Sequence, residues 1–324
     1  MPRLISQIAH LELITPKLEE SRRFFVDVMG LQETERTDSS VYLRAPEEIF
    51  HHSLMLTEGD QPALGHVGWR ADSPEDLDIV VARVQSDPVA HGEWVSDSIG
   101  HGRAFRFRGP GGHAHVVFWD VTRAVCPPGE ESQYPNRVQR TNPRGVAAQQ
   151  LDHVTVATVD PWGDSLWYME KMAFRHVEYA VSEDDPSKVV LSFITTNEKS
   201  HDLGLLIDRQ NGSGRLHHFS YWVPERGDLH RAADVLIEAG FPLEYGPGEH
   251  GIGKQAFLYV REPGGARVEI NSGGYRTYAP DWGPVQWRYS QGANDVYLTS
   301  PQPAVSRESF PPMPAAQQPA TATA

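Results

Sequence analysis

Apolar residues recur along the chain in short runs that Gly and Pro residues separate. The run 153–157 alternates with a period of two, which predicts a strand that places His153, Thr155 and Ala157 on one face. The stretch 18–29 carries apolar residues at helical spacing and is followed by Gly30, which predicts a helix that ends there. Two more strands are predicted on either side of a Pro-Gly-Gly turn in the last third of the chain.

The same pattern occurs twice. The segment around His10 aligns with the segment around His153 at an offset of 143 residues, and His66 aligns with His218 at an offset of 152. The Pro-Gly-Gly turn that begins at Pro110 recurs 153 residues later. Three blocks recur in the same order, each built from strands and a helix. This predicts an α+β chain of four similar units, two in each half.

The repeat also predicts how the chain is divided. We expect an N-terminal domain over residues 1–120, a linker over 121–148 that contains four prolines, and a C-terminal domain over 149–298. The tail 299–324 is rich in proline and has few residues to bury, so we expect it to be largely disordered.

Composition excludes several classes of protein. Lys and Arg number 29 against 43 Asp and Glu, a net charge of −14 that disfavours nucleic-acid or membrane-surface partners. The single cysteine, Cys126, rules out an internal disulfide framework. The first residues carry no apolar run of signal-peptide length, and no stretch approaches a membrane span. We therefore expect a soluble cytoplasmic protein.

Three residues of the second half form a typical metal-ligand set. His153, His218 and Glu269 each lie in a predicted strand, in corresponding blocks of the repeat. A single histidine is more often structural than a ligand, but Glu269 lies in a run made for burial, where an unpaired carboxylate is costly. Two imidazoles and one carboxylate leave open positions on a divalent metal. The first half has Val116 where Glu269 stands, so we expect His10 and His66 to form a cleft without a metal.

The sequences around the three residues are specific motifs: Leu151-Asp152-His153-Val154, Leu216-His217-His218-Phe219 and Arg267-Val268-Glu269-Ile270. With these motifs the chain resembles, over roughly residues 5–295, the type I extradiol dioxygenases of the vicinal oxygen chelate superfamily, which include the catechol 2,3-dioxygenases and homoprotocatechuate 2,3-dioxygenases. The resemblance implies paired βαβββ modules in each domain, a non-catalytic N-terminal domain, and Fe(II) or Mn(II) in the C-terminal one. It also implies O2 as cosubstrate, ring opening beside two phenolic hydroxyls, and His218 rather than His217 as the ligand.

The same resemblance implies roles for three further residues. His201 corresponds to the histidine that accepts a substrate proton and assists dioxygen, Tyr259 to the tyrosine that bonds the ligated substrate oxygen, and His250 to the histidine that lies along the substrate. Without the resemblance, the alternative for His201 is a surface histidine at the end of a loop. For Tyr259 the alternative is an aromatic residue that fills the core, with about even odds.

The substrate class follows from a departure from the family pattern. Members that act on homoprotocatechuate place an arginine where this chain has Tyr245, and a second such arginine is missing near the C-terminus, although Arg288 lies close by. We therefore expect a neutral catechol or alkylcatechol, a 2-hydroxymuconic semialdehyde-type product, and Phe193 and Trp222 as candidate pocket walls. The family commonly assembles as tetramers.

Two alternatives remain open at this point. A glyoxalase-like isomerase would need a fourth ligand, for which His113 and His115 are the nearest substitutes. A non-enzymatic ligand-sequestering protein would need only an aromatic cleft, which Trp167, Tyr168 and Trp222 could line. The choice between iron and manganese is not determined by this ligand set.

Overall fold

The computed structural model describes residues 3–96, 98–279, 281–297 and 302–313. Its elements follow the order strand, helix and three strands four times, which confirms the predicted α+β fold of four βαβββ modules. The N-terminal half contains β1 (Ile5–Thr15), α1 (Leu18–Arg23), β2 (Gln32–Arg36), β3 (Ser40–Arg44), β4 (Leu54–Glu58), β5 (Ala63–Ala71), α2 (Pro74–Gln85), β6 (Gly92–Val95), β7 (Ala104–Arg108) and β8 (Ala114–Phe118).

The C-terminal half repeats this order and adds one strand. It contains β9 (Gln150–Thr158), α3 (Pro161–Met172), β10 (Arg175–Val181), β11 (Val189–Thr195), β12 (Leu203–Ile207), β13 (Arg215–Trp222), α4 (Arg226–Glu238), β14 (Leu243–Glu249), β15 (Gln255–Arg261), β16 (Arg267–Gly273) and β17 (Val285–Arg288).

Each half folds into one mixed sheet in which two modules meet at the middle. The strand order is β2-β3-β4-β1-β5-β8-β7-β6 in the first sheet and β14-β15-β16-β13-β9-β12-β11-β10-β17 in the second. The first strands of the two modules pair antiparallel, β1 with β5 and β9 with β13. The three predicted ligands therefore lie on three adjacent strands, β9, β13 and β16.

The predicted helix 18–29 is modified in its second half. α1 ends at Arg23 and continues as a single π-helical turn, Phe24–Val28, whose Phe24 and Phe25 are buried. Gly30 then adopts φ +87°, a left-handed conformation that suits glycine at a helix end. A Cβ at Gly30 would lie 2.2 Å from the carbonyl oxygen of Arg144, so the linker also requires glycine here.

The two halves are joined by buried contacts. The rings of Phe25 and Phe219 lie 6.0 Å apart, and His115 Nε2 lies 2.7 Å from the Tyr168 hydroxyl. The indole of Trp69 donates to His115 Nδ1 at 3.0 Å, so both ring nitrogens of His115 are engaged. Tyr168 is fully buried in this contact and belongs to the core between the halves, so it does not line a ligand cleft.

The C-terminal residues 302–313 pack on the second sheet. Leu216 and Phe310 exchange two backbone hydrogen bonds, and Arg215 donates to the carbonyl oxygens of Ser309 and Pro311. Phe310 is 4% exposed. These residues lie within the predicted disordered tail 299–324, whereas residues 298–301 and 314–324 lie outside the described residues. Among the described residues, no helix is long and apolar enough to cross a bilayer.

Candidate metal centre and its pocket

The predicted ligands converge on one point inside the second sheet. Nε2 of His153 and Nε2 of His218 lie 3.2 Å apart, and they lie 2.9 Å and 3.2 Å from Oε2 of Glu269. All three side chains are buried. Among the described residues, they form the one group of three His, Cys, Asp or Glu side chains whose ligand atoms lie close enough together to share a metal ion. Strand register brings them together, because Ser220 of β13 is paired with His153 on one side and with Glu269 on the other.

Hydrogen bonds on the far side of each ring orient its Nε2 towards the centre. Nδ1 of His153 lies 2.8 Å from Oδ2 of Asp152, a carboxylate that only accepts, so this nitrogen carries the hydrogen. His217 Nε2 donates to the carbonyl oxygen of Ser306 at 2.7 Å, so His217 Nδ1 accepts from His218 Nδ1 at 2.7 Å. The neutral forms of His153 and His218 therefore both present an Nε2 lone pair to Glu269. The buried relay also explains why His218, rather than His217, faces the centre.

The arrangement fits a divalent cation. Both carboxylate oxygens of Glu269 are buried, and while both histidines are neutral they have no hydrogen-bond partner among the described residues. A buried carboxylate and two imidazole lone pairs that point at it repel one another. Away from water this arrangement costs several kcal/mol of folding free energy unless a cation lies between the three groups. Two nitrogens and one oxygen on one side of a divalent ion are the donor set of iron(II) and manganese(II) sites with open positions.

In the metal-free chain a proton replaces that cation. Burial lowers the pKa of His153, but the carboxylates of Asp152 and Glu269, one beside each ring nitrogen, favour the protonated ring, outweigh burial and raise the pKa to about 9. Burial lowers the pKa of His218 to about 4, so this ring stays neutral. The single proton of the centre is thus held between His153 and Glu269 at neutral pH.

His201 lies beside the centre on the segment that precedes β12. Its ring stacks on Phe193 with centroids 3.7 Å apart and lies 4.1 Å from the ring of His153. Nδ1 contacts the Ser200 hydroxyl at 3.1 Å, whereas Nε2 is buried without a partner among the described residues. Burial lowers the pKa of His201 well below its usual value, so the ring is neutral and its Nε2 carries a lone pair or a hydrogen that no described residue engages.

Tyr259 and His250 lie on the opposite side. Tyr259 is paired directly across the sheet from Glu269, and its hydroxyl contacts His250 Nε2 at 3.0 Å. His250 Nε2 also lies 3.7 Å from Oε1 of Glu269, and its ring stacks on Phe257 at 3.9 Å. Burial raises the pKa of Tyr259 well above its usual value, so the hydroxyl keeps its hydrogen.

A pocket opens next to the centre, and most of its wall is apolar. Phe193 lines it as predicted, whereas Trp222 is absent from its lining, and Arg288 is exposed elsewhere on the surface. Trp167 is engaged with Asp87 at 2.6 Å and also lies away from it. The lining consists of Thr155, Leu191, Phe193, Leu206, His217, His218, Tyr245, His250, Ile252, Tyr259, Arg267, Tyr289, Ala293, Asn294, Gln302 and Ser306.

Sequence reasoning missed two kinds of lining residue. Thr155 has a buried hydroxyl without a partner among the described residues, and its position two residues after His153 on the same strand face was the available signal. Gln302 and Ser306 come from the C-terminal segment, for which the sequence offered no signal beyond its proline content. Both kinds place polar atoms close to where a ligand would lie.

The N-terminal counterpart of the centre has a different arrangement. His10 Nε2 and His66 Nε2 lie 2.7 Å apart, and His66 Nδ1 contacts Glu12 at 2.8 Å. Val116 lines the same cleft, where the second half has its glutamate. His115 is used between the halves, and His113 Nε2 contacts the carbonyl oxygen of Arg215 at 3.1 Å, so neither reaches the cleft. That this cleft holds no metal stays a prediction.

Comparison with known proteins gives consistent matches over both halves. The sequence-family model of the Glyoxalase/Bleomycin resistance protein/Dioxygenase superfamily matches residues 7–117 and 150–270 of this chain. The manganese-dependent 2,3-dihydroxybiphenyl 1,2-dioxygenase of Geobacillus genomosp. 3 is 36% identical over 288 residues, which cover 88% of this chain and 90% of that protein. The metapyrocatechase of Geobacillus stearothermophilus is 35% identical over 297 residues, which cover 91% and 90%.

The fold is shared with solved structures. The anaerobic complex of homoprotocatechuate 2,3-dioxygenase from Brevibacterium fuscum with 3,4-dihydroxyphenylacetate superposes with a TM-score of 0.81 at 26% identity. The match covers 94% of this chain and 92% of that one.

Proposed function

The chain belongs to the extradiol dioxygenases of the Glyoxalase/Bleomycin resistance protein/Dioxygenase superfamily, and on that premise we propose that it opens neutral catechols with O2 at a centre held by His153, His218 and Glu269. The observation that carries the proposal is the buried carboxylate of Glu269, which faces two oriented imidazole nitrogens and, while these rings are neutral, has no hydrogen-bond partner among the described residues.

The bound ion would be Fe(II) or Mn(II), and it would supply a site where the two hydroxyls of a catechol and O2 are held side by side. The residues of the protein orient the groups that would bind the ion and exclude water from the pocket. His153 and His218 are fixed by Asp152 and by the His217 relay, so their rings need no rearrangement when the ligand set is filled. The apolar wall keeps water away from the reacting groups.

Proton handling falls to the residues on the two sides of the pocket. Neutral His201, with an unpartnered Nε2, is placed to accept the proton that a catechol hydroxyl releases. The Tyr259 hydroxyl keeps its hydrogen. Because Nδ1 of His250 donates to the carbonyl oxygen of Asn294, the neutral ring accepts that hydrogen at Nε2, 3.0 Å from the hydroxyl, until a substrate oxygen in the pocket takes its place as acceptor. These roles are those that the family resemblance implies, and the position and charge state of each group support them.

The pocket is suited to substrates without a carboxylate. Among the described residues that line the pocket, Arg267 is the only Lys or Arg. All five N–H donors of its guanidinium are already used in hydrogen bonds. Nε and Nη2 donate to Glu244 at 2.9 Å and 2.7 Å, and the remaining donors reach the carbonyl oxygens of His217, Glu308 and Val305. Tyr245 occupies the position where an arginine would hold a carboxylate. A substrate carboxylate would be buried unpaired, at a cost of about 3 kcal/mol or more.

The test is a turnover assay on protein stripped of metal and reloaded with Fe(II) or Mn(II) under exclusion of air. Addition of O2 and catechol is expected to give a yellow ring-fission product, and Glu269→Ala, which removes one ligand, is expected to abolish it. Catechol and 3-methylcatechol should exceed homoprotocatechuate in kcat/KM by about 100-fold, the ratio that corresponds to 2.7 kcal/mol. Preference for the acid would refute the substrate assignment, and full activity of Glu269→Ala would refute the centre.

A further inference from the structure

The residue that precedes the first ligand is a buried carboxylate at the centre of a hydrogen-bond network. Asp152 is 4% exposed. Its Oδ2 accepts from His153 Nδ1 at 2.8 Å, and its Oδ1 lies 3.3 Å from the ammonium of Lys199. The ammonium also donates to the backbone carbonyl oxygen of Asp152.

Two further donors to Asp152 come from strands that carry functional side chains. Gln255, at the start of the strand that carries Tyr259, donates from Nε2 to Oδ2 at 3.2 Å. Asn271, two residues after Glu269 on its strand, donates from Nδ2 to Oδ2 at 3.0 Å. One carboxylate therefore contacts the strands of three candidate functional residues.

Lys199 extends the network to the segment that carries the fourth. Its ammonium lies 3.0 Å from Oδ1 of Asp202, which is fully buried. Asp202 in turn accepts from the backbone N–H of Thr196 at 2.8 Å and from the Thr195 hydroxyl at 2.8 Å. His201 lies between Lys199 and Asp202 in the chain, so both ends of its segment are tied to the network.

We infer that Asp152 and Lys199 are positioning residues for the reaction. Asp152 fixes the ring of His153 and keeps its Nε2 directed at the ion, and Lys199 holds the His201 segment at a set distance from that ring. The inference rests on the proposed function, because it requires an ion at the centre. If the ion pair of Asp152 and Lys199 were purely structural, its loss would lower the stability of the fold but would leave metal affinity and turnover of the folded protein unchanged.

The first experiment measures metal affinity without turnover. Metal-stripped protein is titrated with Mn2+, and free Mn2+ is followed by electron paramagnetic resonance. Asp152→Asn keeps the shape of the side chain but removes the charge that fixes His153, so Mn2+ binding is expected to weaken by roughly 10- to 100-fold. Asp185→Asn is the matched control, because Asp185 is exposed and paired with Lys188 at 3.5 Å.

Wild-type affinity in Asp152→Asn would overturn the inference for this residue. Failure of the wild-type protein itself to bind Mn2+ would refute the proposed function instead, so the two failures are distinguishable.

The second experiment separates positioning from stability at Lys199. Lys199→Met keeps the length of the side chain without its charge, and we expect kcat to fall at least tenfold while the KM for catechol changes by less than threefold. Lys199→Arg keeps the charge and is expected to recover most of kcat. Lys188→Met is the control at an exposed ion pair.

A lower melting temperature with unchanged kcat in Lys199→Met would show a structural role and overturn this part. An equal loss of kcat in Lys199→Arg and Lys199→Met would do the same, since charge would then not be the relevant property.

Discussion

The proton held between His153 and Glu269 predicts how metal binding depends on pH. The pKa of His153 is raised to about 9 in the metal-free chain, so at pH 7 the ring is protonated and the ion must displace that proton. His218, with its pKa lowered to about 4, contributes none. One proton should therefore be released per ion, and the affinity should rise about tenfold per pH unit between pH 6 and pH 8.

The effect of pH on metal affinity is large because the pKa of His153 lies about two units above neutrality. At pH 7 the proton weakens metal binding about 100-fold, or about 3 kcal/mol, relative to the deprotonated ring. The assay is calorimetric titration with Mn2+ in buffers of different ionisation enthalpy, which gives the number of protons released directly. A release near zero, or an affinity that does not change from pH 6 to pH 8, would refute the proton assignment.

The stability of the metal-free chain should change in the opposite direction. A pKa raised from 6.5 to about 9 on folding stabilises the folded state fully below pH 6.5, and this contribution is lost as pH rises to 9. The loss amounts to about 3 kcal/mol. Urea unfolding of the metal-free protein at pH 6 and pH 9 measures it, and equal stability at both values would contradict the assignment.

Three substitutions test a residue of the pocket wall and two residues that support the wall. Thr155→Val removes a buried hydroxyl without a partner among the described residues, so the free energy of unfolding should stay within about 1 kcal/mol while kcat/KM falls; a clear loss of stability would show a hidden partner. Gly204→Ala would place a Cβ 2.4 Å from the Thr155 hydroxyl and should cost about 1–3 kcal/mol in urea unfolding, whereas Gly227→Ala, with open space around it, should cost nothing. Phe310→Ala should cost about 3 kcal/mol and raise the KM for catechol by loosening residues 302–313, and an unchanged KM would show that this segment does not shape the pocket.

Part of the fold and of the candidate site could be predicted from the residues alone. The repeat offsets identify corresponding segments and predict four units of strand, helix and strands, and the structure places the strands of the three candidate ligands, β9, β13 and β16, side by side. Burial of Glu269 follows from its apolar neighbours in the chain, where an unpaired carboxylate is costly. The βαβββ order and the choice of His218 over His217 came from the family resemblance.

The missed features depend on contacts between residues far apart in the chain. Asp152 meets Gln255 and Asn271 more than 100 residues away, and His217 meets Ser306 in a segment that looks disordered by composition. No local pattern records such pairings. The alternative of an aromatic cleft that includes Tyr168 failed for a related reason, since a large aromatic ring fits a contact between the two halves as well as a ligand pocket.

The three proposed ligands of the centre are divided between two modules. His153 belongs to the third module of the chain, while His218 and Glu269 belong to the fourth, so neither module has a complete set. An ion bound there would link the two modules where their first strands, β9 and β13, pair. Removal of the ion should therefore accelerate amide hydrogen exchange on both strands together, and the two modules should lose their protection as one unit.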